Sequence, residues 1–445
     1  MVIKQKHLIE FQIYYLMIVE MLIDLLHFPD IIRYVLDVNA IFLILLGLPK
    51  IKDIINDKVF NKFNAYVFTY MFALVAFSII RRTPIGQVAW AARNNFLNII
   101  FIFTCGYTLK QKDIYKILDR VERLQILNVL CVIYEFLVIN KSGDNIGGMF
   151  GTASGCNGYL NVYIGIITAY VFTKYANRKT SILNVLWVSL SSMVIAVAAE
   201  LKFFFFELIV ILILSVTLSR LSAKNGLLIV SAVVVLYVGF QVLTTVFPES
   251  AELLQNFNDL NEYTATSYDD TRISRATPFS QINDYFFKGN LFYNLFGYGF
   301  GACEDSTTFS WANSKFATLY RDLQYRNIST SMNFIETGII GLLAFAAIFI
   351  FLFNLASKQK HKIPEQRNML VFTQISAVIA FLNIWYNSSL RRPIGFLIFF
   401  CLSTVIVISR EKEKKADEGE KQEETSLPPK KSYFKKKNNK VRRYI

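Results

Sequence analysis

The sequence has 445 residues, of which 54% are hydrophobic and only 18% are charged, and its mean hydropathy is +0.39. A chain of this composition does not form a soluble globule, and its 40 Phe and 23 Tyr are typical of a lipid-facing surface with aromatic belts. The net charge of +14 would suit a nucleic-acid-binding protein, but the distribution of the cations along the chain argues against that class. We therefore predict no nucleic-acid partner.

Repeated apolar runs of roughly 18–22 residues, each flanked by charged residues, predict membrane-spanning helices. No small-residue cleavage site follows the first run, so we interpret it as a retained helix and not as a signal peptide. The sequence thus predicts an all-α polytopic membrane protein with about twelve spans. These lie at residues 8–28, 31–48, 63–80, 88–106, 124–140, 157–176, 182–199, 203–219, 226–247, 332–356, 368–387 and 393–409.

The basic residues between the spans predict the topology. With Lys4 and Lys6 in the cytoplasm, every cytoplasmic connection is basic, as the positive-inside rule requires. These connections lie at residues 50–62, 110–123, 174–179, 220–224 and 358–367. The predicted domains are then a bundle of nine spans (1–247), one large extracytoplasmic loop (248–331), three further spans (332–409) and a cytoplasmic tail (410–445).

Two cytoplasmic segments have distinctive patterns. Residues 110–123 carry Ile114, Ile117, Leu118 and Val121 at helical spacing, which predicts an amphipathic helix at the membrane surface, with surface packing favoured over partner binding. The tail, 410–445, mixes both charge signs and ends in a run of Lys and Arg, so we predict a disordered segment that lies on anionic lipid headgroups. RNA binding by this tail is the alternative, and its tether to a membrane disfavours it.

A set of cations breaks the positive-inside rule, because all of them fall on the extracytoplasmic side. They are Arg81, Arg82, Arg93, Lys202, Arg391 and Arg392, and the large loop adds Arg272, Arg275, Arg321 and Arg326. A cation in or beside the hydrocarbon is costly unless it is paired or hydrated. Snorkelling or a structural ion pair accounts for any single one, but a group on one side suits the binding of a lipid-linked pyrophosphate.

Other titratable residues point to no metal or cofactor. Glu20 and Asp24 share one face of the first helix, where a polar face turned into the bundle is favoured over an ion-transport site. Cys156 and Cys303 both fall on the external side, so a disulfide between them stays an open alternative. No P-loop, HExxH or zinc-ligand spacing occurs, and we predict no metal and no cofactor.

Three passages carry motifs in a definite order. A glycine-rich turn at 147–158 precedes the sixth span, and Glu200-Leu201-Lys202 precedes a very apolar helix. The large loop contains Arg272 and Arg275, then Leu-Phe-Gly-Tyr-Gly-Phe-Gly at 295–301, and returns to the membrane with Asn-Phe-Ile-Glu-Thr-Gly at 333–338. This order, over residues 90–356, resembles the O-antigen polymerase and ligase family.

The resemblance implies a membrane glycosyltransferase of the GT-C type, inverting and metal-independent, in the cytoplasmic membrane of a bacterium. Its partners would be an undecaprenyl-pyrophosphate-linked oligosaccharide, and a flippase and a chain-length regulator of the same pathway. By position, Lys202 replaces a family arginine that meets the pyrophosphate, Arg275 (or Arg272) matches a loop arginine, and Arg93 matches an arginine on an earlier span. Asn327, preceded by Arg326, stands where the family often has His-Asn.

The remaining motif residues have less specific expectations. Gly297, Gly299 and Gly301 either let backbone amides approach phosphate or sugar, or form a tight turn; Asn333 and Glu336 belong to the return helix. Glu200 is the candidate general base, and an ion pair with Lys202 is the alternative. The predicted activity is polymerisation of lipid-linked repeat units, with ligase-like transfer and a lipid-linked oligosaccharide flippase as the alternatives.

Overall fold

A computed structural model describes residues 4–219, 223–248 and 272–426, and in these ranges the regular structure is helical, with no strand. The helices are α1 (Gln5–Asp24), α2 (Val35–Gly47), α3 (Ile51–Ile55), α4 (Asn61–Ile80), α5 (Ile85–Thr108), α6 (Gln111–Arg123), α7 (Gln125–Leu137), α8 (Asn157–Ala176), α9 (Ile182–Ala198), α10 (Lys202–Leu218), α11 (Ala223–Val246), α12 (Pro278–Ile282), α13 (Leu291–Phe296), α14 (Lys315–Tyr320), α15 (Ser329–Lys362), α16 (Arg367–Tyr386) and α17 (Gly395–Ser426). A short 3-10 segment, Asp30–Tyr34, leads into α2.

Each of the twelve apolar runs falls on a helix. Within the described residues, five helical segments are long and apolar enough to cross a membrane by length and composition, so the chain has the character of a polytopic membrane protein. These segments are Asp30–Ile55, Asn61–Ile80, Asn225–Val246, Ser329–Lys362 and Pro364–Tyr386.

The centre of the bundle is formed by α8, α16 and the first half of α17. Almost every side chain of α8 from Leu160 onward is buried, and α8 packs against α9, α10 and α16. Helices that are apolar on all sides belong in such a position. By contrast, α2, α4 and α11 leave large apolar side chains exposed, among them Leu45, Phe72 and Val234, as helices at a lipid boundary do.

The amphipathic helix predicted at 110–123 is present as α6. Its apolar residues Ile114, Ile117, Leu118 and Val121 are buried against the bundle. On its polar side the Lys116 ammonium lies 3.0 Å from a carboxylate oxygen of Glu10 on α1. The helix therefore packs onto the protein, which is the surface-packing alternative.

The prediction of a disordered tail after residue 410 is wrong for its first part, because α17 continues to Ser426. The first turn of this extension is held by the protein: Arg410 Nη1 donates to the Gly106 carbonyl at 3.0 Å, and Glu411 Oε2 accepts the Gln111 N–H at 2.8 Å. The following residues are rich in Glu and Lys, which are good helix formers. The basic run beyond Ser426 lies outside the described residues.

Residues 249–271, which begin the predicted large loop, also lie outside the described residues. The rest of the loop contains short helices (α12, α13, α14) and one π-helical turn, Asn283–Phe287. It packs on the C-terminal end of α4, the N-terminal end of α5 and the first turns of α15. Helix α15 is broken at Gly338, whose φ of 63° and ψ of −170° are not helical.

Candidate functional site

The connection between α16 and α17, residues 387–394, joins separate parts of the chain at the loop end of the bundle. The Asn387 carbonyl accepts hydrogen bonds from Ser329, from its N–H at 3.0 Å and its hydroxyl at 2.8 Å. The Ser389 hydroxyl donates to the Gly158 carbonyl at 3.2 Å. This short segment therefore holds the starts of α8 and α15 together, and it carries Arg391 and Arg392.

Arg391 lies inside the protein and is paired with two carboxylates. Its guanidinium donates to Glu336 Oε2 at 3.0 Å, to Asn333 Oδ1 at 3.2 Å and to Glu304 Oε1, and only 6% of its side chain is exposed. Glu336 Oε1 also accepts the Gly301 N–H at 3.1 Å. The sequence predicted that Arg391 binds a ligand anion. The structure instead buries it in an internal ion pair that fastens the loop to α15.

Electrostatics keep this arginine charged. Burial lowers the pKa of the Arg391 guanidinium, but Glu336 and Glu304 together raise it more, so the pKa lies above its ordinary value. A buried charge that is both paired and hydrogen-bonded avoids the cost of an isolated one. The Arg391, Glu304 and Glu336 triad is thus a structural element of the loop.

A chain of hydrogen bonds runs from this triad to Arg93. Glu304 Oε2 accepts from Asn94 Nδ2 at 2.9 Å, and Asn94 Oδ1 accepts from Arg93 Nη1 at 2.7 Å. Arg93 also donates to Asp37 on α2, from Nε at 3.0 Å and from Nη2 at 2.6 Å. Its guanidinium lies 5.0 Å from the centre of the Trp90 ring. Arg93 is therefore held in one orientation by neighbours on two helices.

Arg33 is a cation that the sequence reasoning missed. It lies in the 3-10 segment before α2 and makes a bidentate pair with Glu20, each N···O distance being 2.7 Å. The signal was present, because Arg33 is a charged residue inside an apolar run predicted to span the membrane. Glu20 thus turns inward as predicted, and Asp24 on the same face accepts the Thr152 N–H at 2.6 Å.

Three arginines from different parts of the chain lie around Tyr159 at the start of α8, and a fourth, Arg326, lies near one of them. Arg33, Arg93 and Arg392 all lie within electrostatic range of the Tyr159 hydroxyl, and Arg392 lies within range of Arg326. Arg392 is exposed, and within residues 4–219, 223–248 and 272–426 it makes no ion pair. We call Arg33, Arg93, Arg326 and Arg392 the arginine cluster.

The loop contributes Arg326 to the cluster through a buried aspartate. Asp305 Oδ1 lies 2.9 Å from Arg321 Nη2, Asp305 Oδ2 pairs with Arg326 Nη1, and Arg326 Nη2 donates to the Asp305 carbonyl at 3.1 Å. Burial, together with the like charge of Arg392, lowers the pKa of Arg326. Positive charge is crowded here beyond what Asp305 neutralises, which is the electrostatic condition for binding an anion.

A second location lies at the C-terminal ends of α9 and α16 and the N-terminal end of α10, where Glu200, Lys202 and Arg275 are found. Arg275 Nε donates to the Tyr386 carbonyl at 3.1 Å, and its guanidinium is 5.5 Å from the Tyr386 ring centre. Phe203, which follows Lys202, stacks on the same tyrosine with ring centres 4.1 Å apart. Glu200 occupies the turn before α10 with a φ of 50°.

The remaining predicted site residues lie at the periphery. Arg81 packs against the Tyr293 ring, 5.2 Å from its centre. Arg82 and Arg272 are exposed. Asn327 is also exposed, and its Nδ2 donates to Gln324 within the same turn at 3.2 Å.

The glycines of the loop motif make room for backbone. A Cβ on Gly297 would lie 2.4 Å from the Glu336 carbonyl carbon, and a Cβ on Gly338 would lie 2.3 Å from the Leu295 carbonyl. Both glycines have positive φ, 70° and 63°. The loop turn and the break in α15 therefore fit together only because both positions lack side chains.

The amides of this turn bind protein acceptors. Gly299 N–H donates to the Glu336 carbonyl at 2.9 Å, and Gly301 N–H donates to the Glu336 carboxylate at 3.1 Å. Of the two interpretations of the Gly-x-Gly-x-Gly motif, the structure supports the tight turn. Its function is to place Glu304 and Asp305, which follow directly, beside Arg391 and Arg326.

Replacing Gly297 by Ala is expected to destabilise the protein by about 2–5 kcal/mol, because left-handed strain adds to a backbone collision. Gly289→Ala is the matched control: its φ of 76° is similar, but a Cβ there meets nothing within 4 Å. That variant is expected to lose only about 1–2 kcal/mol. Denaturant unfolding in detergent measures both, and equal losses would rule out the close approach of the two backbones.

No family model matches this chain, and no curated protein matches it. The resemblance of the motifs to O-antigen polymerases and ligases therefore rests on residues of this sequence alone. The convergence of the arginine cluster is a separate observation, because it joins residues that no single motif contains.

The thiols and carboxylates form no metal site in the described part of the chain, where no group of three or more His, Cys, Asp or Glu side chains could hold an ion. Cys156 and Cys303, for which a disulfide was left open, are both buried free thiols. Burial raises the pKa of the Cys303 thiol well above its ordinary value, so it stays protonated at neutral pH.

Proposed function

We propose that this protein is an integral-membrane polysaccharide polymerase. It transfers a growing glycan from undecaprenyl pyrophosphate to a hydroxyl of a new lipid-linked repeat unit outside the cytoplasmic membrane of a bacterium. The observation that carries the proposal is the arginine cluster, which gathers Arg33, Arg93, Arg326 and Arg392 at the loop end of an apolar helical bundle.

The proposed topology has twelve membrane spans, both termini in the cytoplasm and the large loop outside. It is supported by the match between the twelve apolar runs and the twelve helices α1, α2, α4, α5, α7 to α11 and α15 to α17. All of the residues of the arginine cluster lie where this topology has the outer ends of the spans. A GT-C-type enzyme would place its lipid pyrophosphate at that level.

The chemistry requires cations and no metal. The acceptor oxygen forms a bond to the anomeric carbon on the face opposite the leaving group, the bond from that carbon to the pyrophosphate oxygen breaks, and undecaprenyl pyrophosphate leaves with the bonding electrons. Preorganised guanidinium groups stabilise the negative charge that develops on the leaving group. Arginine suits phosphate oxygens because its planar fork donates two parallel hydrogen bonds. Arg392, exposed and without an ion pair in the described ranges, is the cluster member that a pyrophosphate would neutralise.

The proton of the acceptor hydroxyl must pass to a base, and two carboxylates are candidates. Glu200, proposed from the sequence, lies with Lys202 and Arg275 at the second location, at the start of α10. Asp37 lies inside the arginine cluster, paired with Arg93, with 15% of its side chain exposed. The acceptor attacks from the face opposite the leaving group, so the base must lie on the far side of the anomeric carbon from the arginine cluster. Asp37, which is paired with Arg93 inside that cluster, is therefore less suited to this role than Glu200.

Ligase-like transfer of a finished glycan to another acceptor uses the same leaving group, so the arginine cluster fits it equally. A lipid-linked oligosaccharide flippase would need charged side chains along a path through both halves of the bundle. Arg33, Arg93, Arg326 and Arg392 gather at one end instead. This distribution favours a transferase over a transporter.

The purified protein in lipid vesicles is expected to convert lipid-linked repeat units into a ladder of longer chains without added metal and in the presence of a chelator. Separation of the saccharides by electrophoresis measures the ladder. A single product of fixed length on a different acceptor would identify a ligase. Movement of the lipid-linked substrate across the vesicle membrane without new glycosidic bonds would contradict the proposal and indicate a flippase.

A further inference from the structure

Helix α13, in the large loop, presents a bare apolar face. The side chains of Leu291, Phe292 and Phe296 are 71%, 45% and 36% exposed. The neighbouring side of the helix packs on the protein, with Tyr293 against Tyr298 at a ring-centre distance of 4.8 Å. Leaving three large apolar side chains in water on a six-residue helix is unfavourable by roughly 25 cal/mol per Å² of exposed apolar area.

This face continues the apolar surface of α4. Phe77 on α4 lies with its ring centre 6.3 Å from that of Phe292 and 5.8 Å from that of Phe296. Ile79 and Ile80, at the end of α4, are 61% and 74% exposed. Since α4 is one of the five segments long and apolar enough to cross a membrane, the bare face of α13 lies directly beyond a lipid-facing surface.

Arg81 marks the polar boundary of the same surface. Its guanidinium stacks over Phe292 at 5.5 Å and Tyr293 at 5.2 Å, and it makes no ion pair within the ranges described above. An arginine at the end of a spanning helix, flanked by aromatic rings, is typical of the headgroup level of a bilayer. Along this protein surface the apolar side chains are followed by a guanidinium group, as the acyl chains of a bilayer are followed by its phosphates.

We propose that α13 is a membrane anchor, which inserts Leu291, Phe292 and Phe296 among the acyl chains and leaves the Arg81 guanidinium at the lipid phosphates. The occupant of this face is lipid, not a second copy of the chain or another protein, because the face is continuous with α4. The proposal is independent of the catalytic function. It assigns Arg81, first considered for the substrate pyrophosphate, to bulk lipid.

The anchor determines the height of the loop above the membrane. Gly297, which packs on the break in α15, follows α13 directly, and Glu304 and Asp305 come a few residues later. An inserted α13 therefore holds this part of the loop, and with it Arg326 of the arginine cluster, at the level of the headgroups. A lipid-linked substrate has its pyrophosphate at that same level.

The test uses a nitroxide attached to Leu291→Cys in the full chain, reconstituted in vesicles of phosphatidylethanolamine and phosphatidylglycerol. All five native cysteines are buried, so an exposed new cysteine is labelled selectively. Leu319→Cys is the matched control, because Leu319 is 72% exposed on the same loop but lies on a different helix, α14. Relaxation by oxygen, which concentrates in lipid, is compared with relaxation by a water-soluble nickel complex.

The label at Leu291 is expected to respond to oxygen and to be at least several-fold less accessible to nickel than the label at Leu319. Equal nickel accessibility at the two positions would overturn the proposal, because it would place α13 in water. A Leu291 label shielded from both reagents would also overturn it, since a protein surface would then cover the face. Monodisperse elution of both labelled variants in detergent verifies that they fold.

Discussion

Replacing Arg392 by Ala is expected to lower the rate of glycan polymerisation by about 100- to 1,000-fold, which is the usual effect of removing one donor that stabilises a developing charge. Arg392 is exposed and has no ion pair in the described residues, yet it lies within range of Tyr159 and Arg326. Its positive charge is therefore available to a pyrophosphate. The initial rate of chain extension in vesicles, at saturating lipid-linked substrate, measures the effect.

The loss should appear mainly in kcat, because negative charge on the leaving oxygen is greatest in the transition state. Arg392→Lys should retain part of the activity, since lysine keeps the charge but not the bidentate geometry. Lys315→Ala is the control: Lys315 is an exposed cation on α14 of the same loop, outside the arginine cluster. If Arg392→Ala extended chains as fast as Lys315→Ala, the cluster would not be the pyrophosphate site.

Replacing the preceding residue, Arg391, by Ala should have a different consequence, a loss of about 3–5 kcal/mol in the free energy of unfolding. The variant would leave Glu304 and Glu336 buried without their counter-ion, at 2% and 0% side-chain exposure. Denaturant unfolding in detergent, or the rate of limited proteolysis of the loop, measures the loss. Arg392→Ala is the matched control, with the same residue type removed one position away, and should unfold at nearly the wild-type midpoint.

A triple variant tests whether the two unpaired carboxylates cause this loss of stability. Changing Glu304 and Glu336 to Gln in the Arg391→Ala background removes the unpaired charges and should restore part of the lost stability. Indistinguishable unfolding midpoints for Arg391→Ala and Arg392→Ala would contradict the buried triad. The two variants are thus expected to separate a role in stability from the proposed role in catalysis within one dipeptide.

Much of the fold follows from local patterns. Hydropathy located all twelve apolar helices, because an apolar run of sufficient length forms a helix wherever it is placed in lipid or in a core. The helical spacing of Ile114, Ile117, Leu118 and Val121 predicted α6 for the same reason. The same approach was wrong for the start of the tail. Helix α17 extends to Ser426 without apolar periodicity, and Arg410 and Glu411 hold the start of this extension by hydrogen bonds to residues some 300 positions away.

The sequence predicted the type of residue that forms the candidate site, cations at one end of the bundle. It did not predict which of these cations lie next to each other. Charge against the positive-inside rule pointed to Arg93, Arg326 and Arg392, and the same reasoning should have included Arg33. Lys202 and Arg275, to which the motif resemblance also pointed, lie outside the arginine cluster, Lys202 at the start of α10 and Arg275 beside Tyr386 at the end of α16.

The sequence by itself determined where the twelve apolar helices lie and which cations depart from the charge pattern of the connections, since both depend on hydropathy and charge along a short stretch of chain. Only the tertiary structure decided that Arg391 is buried by Glu304 and Glu336 while Arg392 is exposed. Those partners are 87 and 55 residues away, and pairing at such separations depends on how helices pack. The physical reason is that helix formation is satisfied within one segment, whereas a buried charge must be neutralised by another.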